Sequence, residues 1–457
     1  MPDLLSSTFR LSEQSKELPL FTLLQDAFAN SADYKAIPFG MRDSGDWFIC
    51  YLQSLCSSQK LIYSLEGIDE QNLLVQLGQY YGTNPTEGDF QSCMEAICHG
   101  SAILCKHASS TGIIVNISEV QQRAVSTPIT ENVLQGPMNA FIENLDTNVA
   151  LIRQQIRSSQ LKMWETVIGS ASHTRVALFY YEGAMNALLL SHLQEKLKQI
   201  NITGLRDINQ LLKLLSSKKR MHLFPLGIST ERPDHAATDL LKGKAVIMVD
   251  GSPFALSLPS VYTDFWHSPE DDYMNPYVAY FLLSLRFIAM FLNLFLPALY
   301  VALTSINVDV NRLEISLAAS ASREAVPYPV FIETILMLIV IDLITEAGLR
   351  LPKTISSTVT MVGGVVLGQA IIQAHIVSHL LVIIVATTAI SNYIVIDYQM
   401  GLVQRILKYF IVIGASIAGL LGIVFCFSCL IIYLSCLESF GAPYLTSLLP
   451  KKRTKPS

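Results

Sequence analysis

Apolar positions divide this chain into two regimes. Up to about residue 275 they come in short clusters separated by polar residues, and beyond it they run almost unbroken. In the first regime the spacing alternates between helical and strand periods. Leu20–Phe28 is a short amphipathic stretch. Asp69–Tyr81 and Gly88–Cys98 read as helices, the first opening on an acid suited to an N-cap. Trp47–Leu55 and Ser101–Cys105 read as strands, and Gly112–Ile117 follows the turn residues Ser109, Ser110 and Thr111 as the second arm of a hairpin. A second series begins near Gly136-Pro137. It predicts a helix over Asn139–Arg157, with Arg153 and Arg157 in its last turns, strands over Leu161–Ile168 and Arg175–Tyr181, and a helix over Met185–Gln199. Strands over Ala245–Val249 and Pro253–Leu258 flank the turn dipeptide Asp250-Gly251, and Pro233 in Arg232-Pro233-Asp234 marks the first turn of another helix. The pattern predicts a two-lobed α/β soluble N-terminal domain, with subdomains over residues 1–130 and 131–275.

The second regime predicts an all-α multi-pass membrane domain over residues 276–447, followed by a short basic tail over 448–457. A span needs about 20 mostly apolar residues. Tyr277–Leu303 qualifies, with Arg286 as its one charge and Pro297 as a kink point. Thr354–Ile396 holds no Asp, Glu, Lys or Arg in 43 residues, enough for two spans joined near Gln373–His379. Tyr409–Leu437 adds 29 uncharged residues, read as one long span. Val326–Ala347 is apolar but carries Glu333, Asp342 and Glu346. A charge at a helix centre costs about 2.5–3.5 kcal/mol on insertion scales, so this segment crosses or enters only in part, and the span count is four or five. Basic residues gather at Arg350/Lys353, at Arg405/Lys408 and in the tail. Four spans put all three groups on the cytosolic side with the N-terminal domain, as the positive-inside bias requires, whereas five put the tail outside.

Charge supports the same division. Only 15% of residues are charged, against a usual share of about 25%. Residues 1–275 hold 21 basic and 29 acidic side chains, and residues 276–450 hold 7 and 8. With a pI near 6.0 and no basic face, nucleic acid is excluded as a partner. The N-terminus has no cationic region followed by an apolar core, so no cleaved signal is expected, and the soluble domain is expected in the reducing cytosol. Cys426 and Cys429 form a CxxC inside an apolar run with no histidine or acid nearby, which favours packing over metal or redox chemistry. The chain has no P-loop, GxGxxG, HExxH or GxSxG, so no enzyme, cofactor or metal is expected.

Helical angles sort the membrane half further. Gly364 and Gly368 share a face with Ile371, and Gly414, Ala418 and Gly422 repeat the spacing that lets a neighbouring helix approach closely. Thr358, Gln369 and Gln373 lie opposite the first pair. Amides facing lipid would lack partners, so this stripe is either an interhelical hydrogen-bond seam or the wall of a water-filled path. Asp342, Glu346 and Arg350 share a face at i, i+4 and i+8. Together with Glu333 and a partner in Arg286 they form a structural ion cluster or a charged ring at the mouth of a path.

Several of these segments resemble the A-subunit family of GerA-type spore germinant receptors, which also includes the paralogue SpoVAF. The strongest stretch is EAGLRLPKTISSTVTMVGGVVLGQAIIQAHIVS (Glu346–Ser378). Gly136–Ile156, TERPD (Thr230–Asp234), VDGSPFALSLP (Val249–Pro259), SPEDDY (Ser268–Tyr273), SLRF (Ser284–Phe287), SREAVPYP (Ser322–Pro329) and FGAPY (Phe440–Tyr444) support it. Leu283 and Thr345 stand where many members carry arginine. The resemblance implies a multi-pass subunit of the spore inner membrane, a permease-like B subunit and a lipoprotein C subunit as partners, and a homo-oligomer around an ion path. The expected function is to couple nutrient sensing to ion release, with Thr358, Gln369, Gln373, Asp342 and Glu346 along the path. The alternatives are a secondary transporter, against which the few spans and missing inverted repeat count, and a structural scaffold of the germination complex.

Overall fold

The computed structural model describes residues 19–41, 44–56, 86–117, 136–216, 222–307 and 321–445, together with Pro128 and Glu131. The helix expected over Asp69–Tyr81 and the basic tail lie outside the described residues. The chain divides into two compact units: Met1–Met221 with Gly227–Pro259, and His222–Leu226 with Ser260–Ser457.

The first unit is α/β and has two lobes. Its N-terminal lobe is an antiparallel sheet of β1 (Tyr34–Met41), β2 (Ser44–Leu52), β3 (Thr86–Gly88), β4 (Ser101–Lys106) and β5 (Gly112–Asn116), in the order β1-β2-β4-β5-β3. Helices α1 (Leu20–Ala27) and α2 (Phe90–Cys98) pack on it. The expected hairpin forms between β4 and β5, with Ser101 opposite Asn116 and Cys105 opposite Gly112. Its turn is closed by Ser109, whose Oγ accepts from Thr111 N at 3.1 Å. Gly112 has to be glycine, because a Cβ there would meet Ile103 Cγ2 at 2.7 Å and Leu20 Cδ2 at 2.8 Å. β1 carries Pro38, which suits its place at the sheet edge, where a missing N–H breaks no ladder.

The second lobe repeats the plan with β6 (Leu161–Ile168), β7 (Thr174–Tyr181), β8 (Ile228–Thr230), β9 (Ala245–Val249) and β10 (Ala255–Leu258), in the order β6-β7-β9-β10-β8. Helices α3 (Leu145–Gln155), α4 (Ala187–Gln199), α5 (Ile208–Leu215) and α6 (Pro233–Leu241) complete it. α3 begins six residues later than the Asn139 start the periodicity suggests. The Asn148 side chain holds the preceding segment out of the helix by accepting from Ile142 N at 2.8 Å and donating to Ile142 O at 2.6 Å, and Asn144 caps the first turn.

Arg153 joins the two lobes. It is 2% exposed, and its Nε and Nη2 donate to both oxygens of Asp33 at 3.0 and 2.8 Å. The remaining donors reach Ser31 Oγ and Leu161 O. Ala32 N also donates to Met163 O, and Lys162 Nζ to Ala27 O.

The second unit is helical. It contains α7 (Pro276–Val301), a π turn over Ala302–Ile306, α8 (Val330–Arg350), α9 (Lys353–Gln373), α10 (His379–Asn392) and α11 (Tyr398–Ser435). Asn275 caps α7 at what we call the near end, and Asn307 follows it at the far end. Val326–Ala347, doubtful as a span on its charges, lies largely within the continuous helix α8. Contacts fix the direction of each run. Tyr300 and Glu333 meet Ser378 at the far end, whereas Asn293 meets Asn392 and Thr345 meets Tyr393 towards the near end.

The segment expected as one long last span is broken into two helical runs. Gly419 has φ 60° and ψ −136°, and the chain folds back there. Gly414 then faces Gly422 and Cys426 instead of a neighbouring helix, and Leu420 N donates to Asn307 Oδ1 at 2.9 Å. The described helical unit therefore has six helical runs between its two ends, and residues 420–435 return to the near end. There Tyr433 Oη accepts from Leu223 N, Ser439 Oγ donates to Leu226 O, and the fully buried Tyr444 donates to Pro225 O at 2.9 Å.

Removing one partner of a buried ion pair costs roughly 3–5 kcal/mol. Arg153→Met and Asp33→Ala should each lower the urea unfolding free energy of the α/β unit by about that much, followed by tryptophan fluorescence. The double variant should lose clearly less than the sum, and strictly additive losses would show that the two side chains do not act as a pair.

Candidate functional site

The charged side chains singled out in the helical unit each meet specific partners. Arg286 does not join Asp342 and Glu346. It reaches back from α7 to Asp271 in a 3-10 turn (Pro269–Asp272), with Nη2 donating to Oδ1 at 3.0 Å and Nη1 to Oδ2 at 2.5 Å and to Trp266 O at 3.2 Å. Burial alone would raise the Asp271 pKa, but hydrogen bonds from His267 and Arg286, with the Arg286 charge, outweigh it and hold the carboxyl at about 2.

Glu333 is 1% exposed and sits at the far end rather than with Arg286 and Arg350. Its Oε2 accepts from Arg323 Nε at 3.2 Å, and its Oε1 accepts from Ser378 N, the N-cap residue of α10. A carboxylate at a helix N-terminus is favoured by the exposed N–H groups there. Nearby, a cavity of about 380 Å³ is lined in part by Ser322, Glu324, His375 and His379.

Asp342 and Glu346 share a helix face but not a site. Glu346 pairs with Arg350 one turn on, both largely exposed. Asp342 turns to α11: Tyr409 Oη donates to it at 2.6 Å, and Lys408 Nζ lies at 3.5 Å. Lys408 is only 3% exposed, so its charge is held inside the bundle by this contact. The expected ring of acids at one mouth is thus divided among three separate pairs.

A further polar group lies where α7, α10 and α11 cross. Asn293 Nδ2 donates to Asn392 Oδ1 at 3.0 Å and to Gln404 Oε1 at 2.7 Å. The sequence carried a signal for it that was not taken up. Gln404 and Lys408 stand at i and i+4 on the face of α11 that also carries Ile411, Val412 and Ala415, all buried. Asn293 is the one amide in α7, an otherwise apolar helix apart from Ser284 and Arg286.

α9 is the exception to this pairing. Gly364, Gln369 and Gln373 are exposed, and a Cβ added at Gly364 or Gly368 would touch nothing within 4 Å. Among the described residues, none makes the close helix contact expected at Gly364 and Gly368. Met361, Val365 and Val366 are also more than half exposed, and Ile371 is the one buried residue of α9 among its described side chains. The side chain of Thr358 lies outside the described residues. All eight cysteines are free thiols, and no group of three or more His, Cys, Asp or Glu among the described residues could hold a metal ion.

Among the described residues, two helices are long and apolar enough to cross a membrane, Pro276–Ile306 and Tyr398–Ser435, with mean hydropathies of 2.0 and 2.6. The break at Gly419 divides the second.

A family model described as Bacillus/Clostridium GerA spore germination protein matches residues 22–456. The chain is 35% identical over 361 residues to spore germination protein GerLA of Bacillus cereus, covering 79% of this chain and 73% of that protein. It is 35% identical over 353 residues to spore germination protein A1 of Bacillus subtilis (strain 168), covering 77% and 73%. It is 32% identical over 415 residues to the uncharacterized membrane protein YfkQ of the same strain, covering 89% and 81%. The crystal structure of the N-terminal domain of the A subunit of the Bacillus megaterium spore germinant receptor GerK3 aligns with 53% of this chain and 94% of that one, at 25% identity and a TM-score of 0.40.

The low pKa of Asp271 gives a pH test. A carboxyl whose folded value lies below the unfolded value of about 3.9 adds stability above that value and loses it as pH falls towards the folded one. The wild-type chain should therefore lose thermal stability more steeply than Asp271→Asn as pH falls from about 4 to about 2, the window between the unfolded and folded values. Parallel pH profiles for the two would mean that the Asp271–Arg286 pair contributes nothing.

Proposed function

Because the chain belongs to the GerA family of spore germination proteins, we propose that it is an A-type membrane subunit of a spore germinant receptor that couples nutrient sensing to ion release. On this reading the six helical runs cross the spore inner membrane. The near end of the helical unit then lies on the cytosolic side, together with the α/β unit, Arg350, Lys353, Arg405 and the basic tail. That even count satisfies the positive-inside bias without excluding α8, which neither four nor five spans achieved.

The observation that carries the reading is the bare surface of α9. A helix with two glycines facing open space on one side and two glutamines exposed on another is not fully packed by its own chain. Several copies arranged in a ring supply both missing environments. The glycine face packs on the next copy at close range, and the amide face, with Gln369 and Gln373, lines a shared aqueous path. An uncharged amide wall suits conduction, which needs binding weak enough for ions to leave. Asp342 takes no direct part in this path, because its charge is met by Lys408 and Tyr409. The partners are a permease-like B subunit and a lipoprotein C subunit, and their co-purification with a defined oligomer separates this reading from a lone secondary transporter.

Two sets of variants test it. Gly364→Leu and Gly368→Leu should abolish assembly of the purified complex, and Val365→Leu should leave it nearly intact. Gln369→Leu should sharply reduce ion flux in liposomes when flux is normalised to assembled protein. Reduced assembly with unchanged flux per complex would instead mark the glutamines as a hydrogen-bonded seam.

A further inference from the structure

The amide joint between α7, α10 and α11 is one hydrogen bond donor and one acceptor short. Asn293 is fully buried and Gln404 is 3% exposed. Asn293 Nδ2 donates to both Asn392 Oδ1 and Gln404 Oε1, but Asn293 Oδ1 and Gln404 Nε2 have no partner among the described residues. Turning either amide over does not remove the problem. A reversed Gln404 would set its N–H groups against those of Asn293, and a reversed Asn293 would set its oxygen against two others. Reversing all three amides together keeps both hydrogen bonds and only exchanges donor for acceptor, so either arrangement leaves one donor nitrogen and one acceptor oxygen, on two side chains already in contact. An unmet buried polar group costs about 1–3 kcal/mol, and more where lipid replaces water around the bundle.

We infer that this joint is a binding site for a single ordered water, which accepts from Gln404 Nε2 and donates to Asn293 Oδ1. The chemistry selects a small neutral molecule able to do both. A cation would be drawn to Oδ1 but repelled by Nε2 and by Lys408, one turn further along α11, and an anion would meet the reverse conflict at Oδ1. Buried waters commonly satisfy such pairs and take about three hydrogen bonds each. The site gives the first half of α11 an adjustable attachment. A bridging water can re-aim its bonds when one helix slides on another, whereas a direct amide pair is lost over the same distance. Residues 398–418 are then held to α7 through the direct Asn293–Gln404 hydrogen bond with the water beside it, and to α8 through the Lys408–Asp342 contact.

Water-edited solid-state NMR on the full chain in lipid, with labelled Asn and Gln side chains, tests this without any substitution. Exposed Gln199, in the α/β unit, serves as the positive control. Rapid polarisation transfer from water to the Gln404 and Asn293 side-chain amides is expected, despite their burial. Transfer to Gln199 with none to Gln404 and Asn293 would overturn the proposal. In Gln404→Met, transfer to Asn293 should fall to background while that to Gln199 persists. Persistence at Asn293 in this variant would show that its water comes by another route and would also overturn the site as described. Neither result depends on whether the chain conducts ions.

Discussion

An ionised side chain taken out of water has to find its counter-charge inside the fold, and that requirement fixes which elements of this chain meet. In the α/β unit it is Arg153 and Asp33 that close the two lobes on each other, and Arg232 is held against Asp234 and Lys244 against Asp239 around α6 in the same way. In the helical unit, Arg286 ties α7 to the turn before it, Glu333 ties Arg323 to the start of α10, and Lys408 ties α11 to α8. Breaking one such pair strands the other charge, so each acts more as a constraint on arrangement than as a source of net stability. The apolar surfaces supply the driving force but are too uniform to specify partners, above all in helices where about half of the positions are Leu, Ile, Val or Phe.

This division explains what was legible in the sequence. Strands whose side chains alternate or run apolar between turn residues were readable almost to the residue: Leu161–Ile168 and Ala245–Val249 coincide with the observed strands, and the β4–β5 hairpin announced itself through Ser109, Ser110 and Thr111. Short elements were not readable. β3 and β8 have three residues each, too few for a period, and β1 carries a proline that argues against a strand unless its place at the edge is known. The start of α3 was misjudged because a single asparagine, Asn148, captures the backbone that periodicity alone assigns to the helix.

For the candidate site, the sequence identified the polar residues but not their pairings. Spacing along α8 correctly put Asp342, Glu346 and Arg350 on one face, yet Asp342 and Glu346 are served by different helices, a fact that only tertiary contacts contain. The glycine face of α9 was identified from spacing, and the structure leaves it without a neighbour. The misreading of residues 409–437 as one span had a simple origin: hydropathy records composition and is blind to a dihedral angle.

Gly419 illustrates how much such an angle can decide. Its φ of 60° with ψ of −136° lies in a region essentially closed to residues with a Cβ, and a side chain there would also run into Asn307. Were the backbone helical at that one residue, Tyr398–Ser435 would be a single rod of 38 residues, about 57 Å long at 1.5 Å per residue. Its last turns would project beyond the far end, and Tyr433, Ser439 and Tyr444 would be carried away from residues 222–226 and 260–266 that now enclose them. Residues 438–445 would emerge at the opposite end of the helical unit. The end at which they pack is therefore written in the absence of one methyl group, and no hydrophobicity profile of this segment would register its addition.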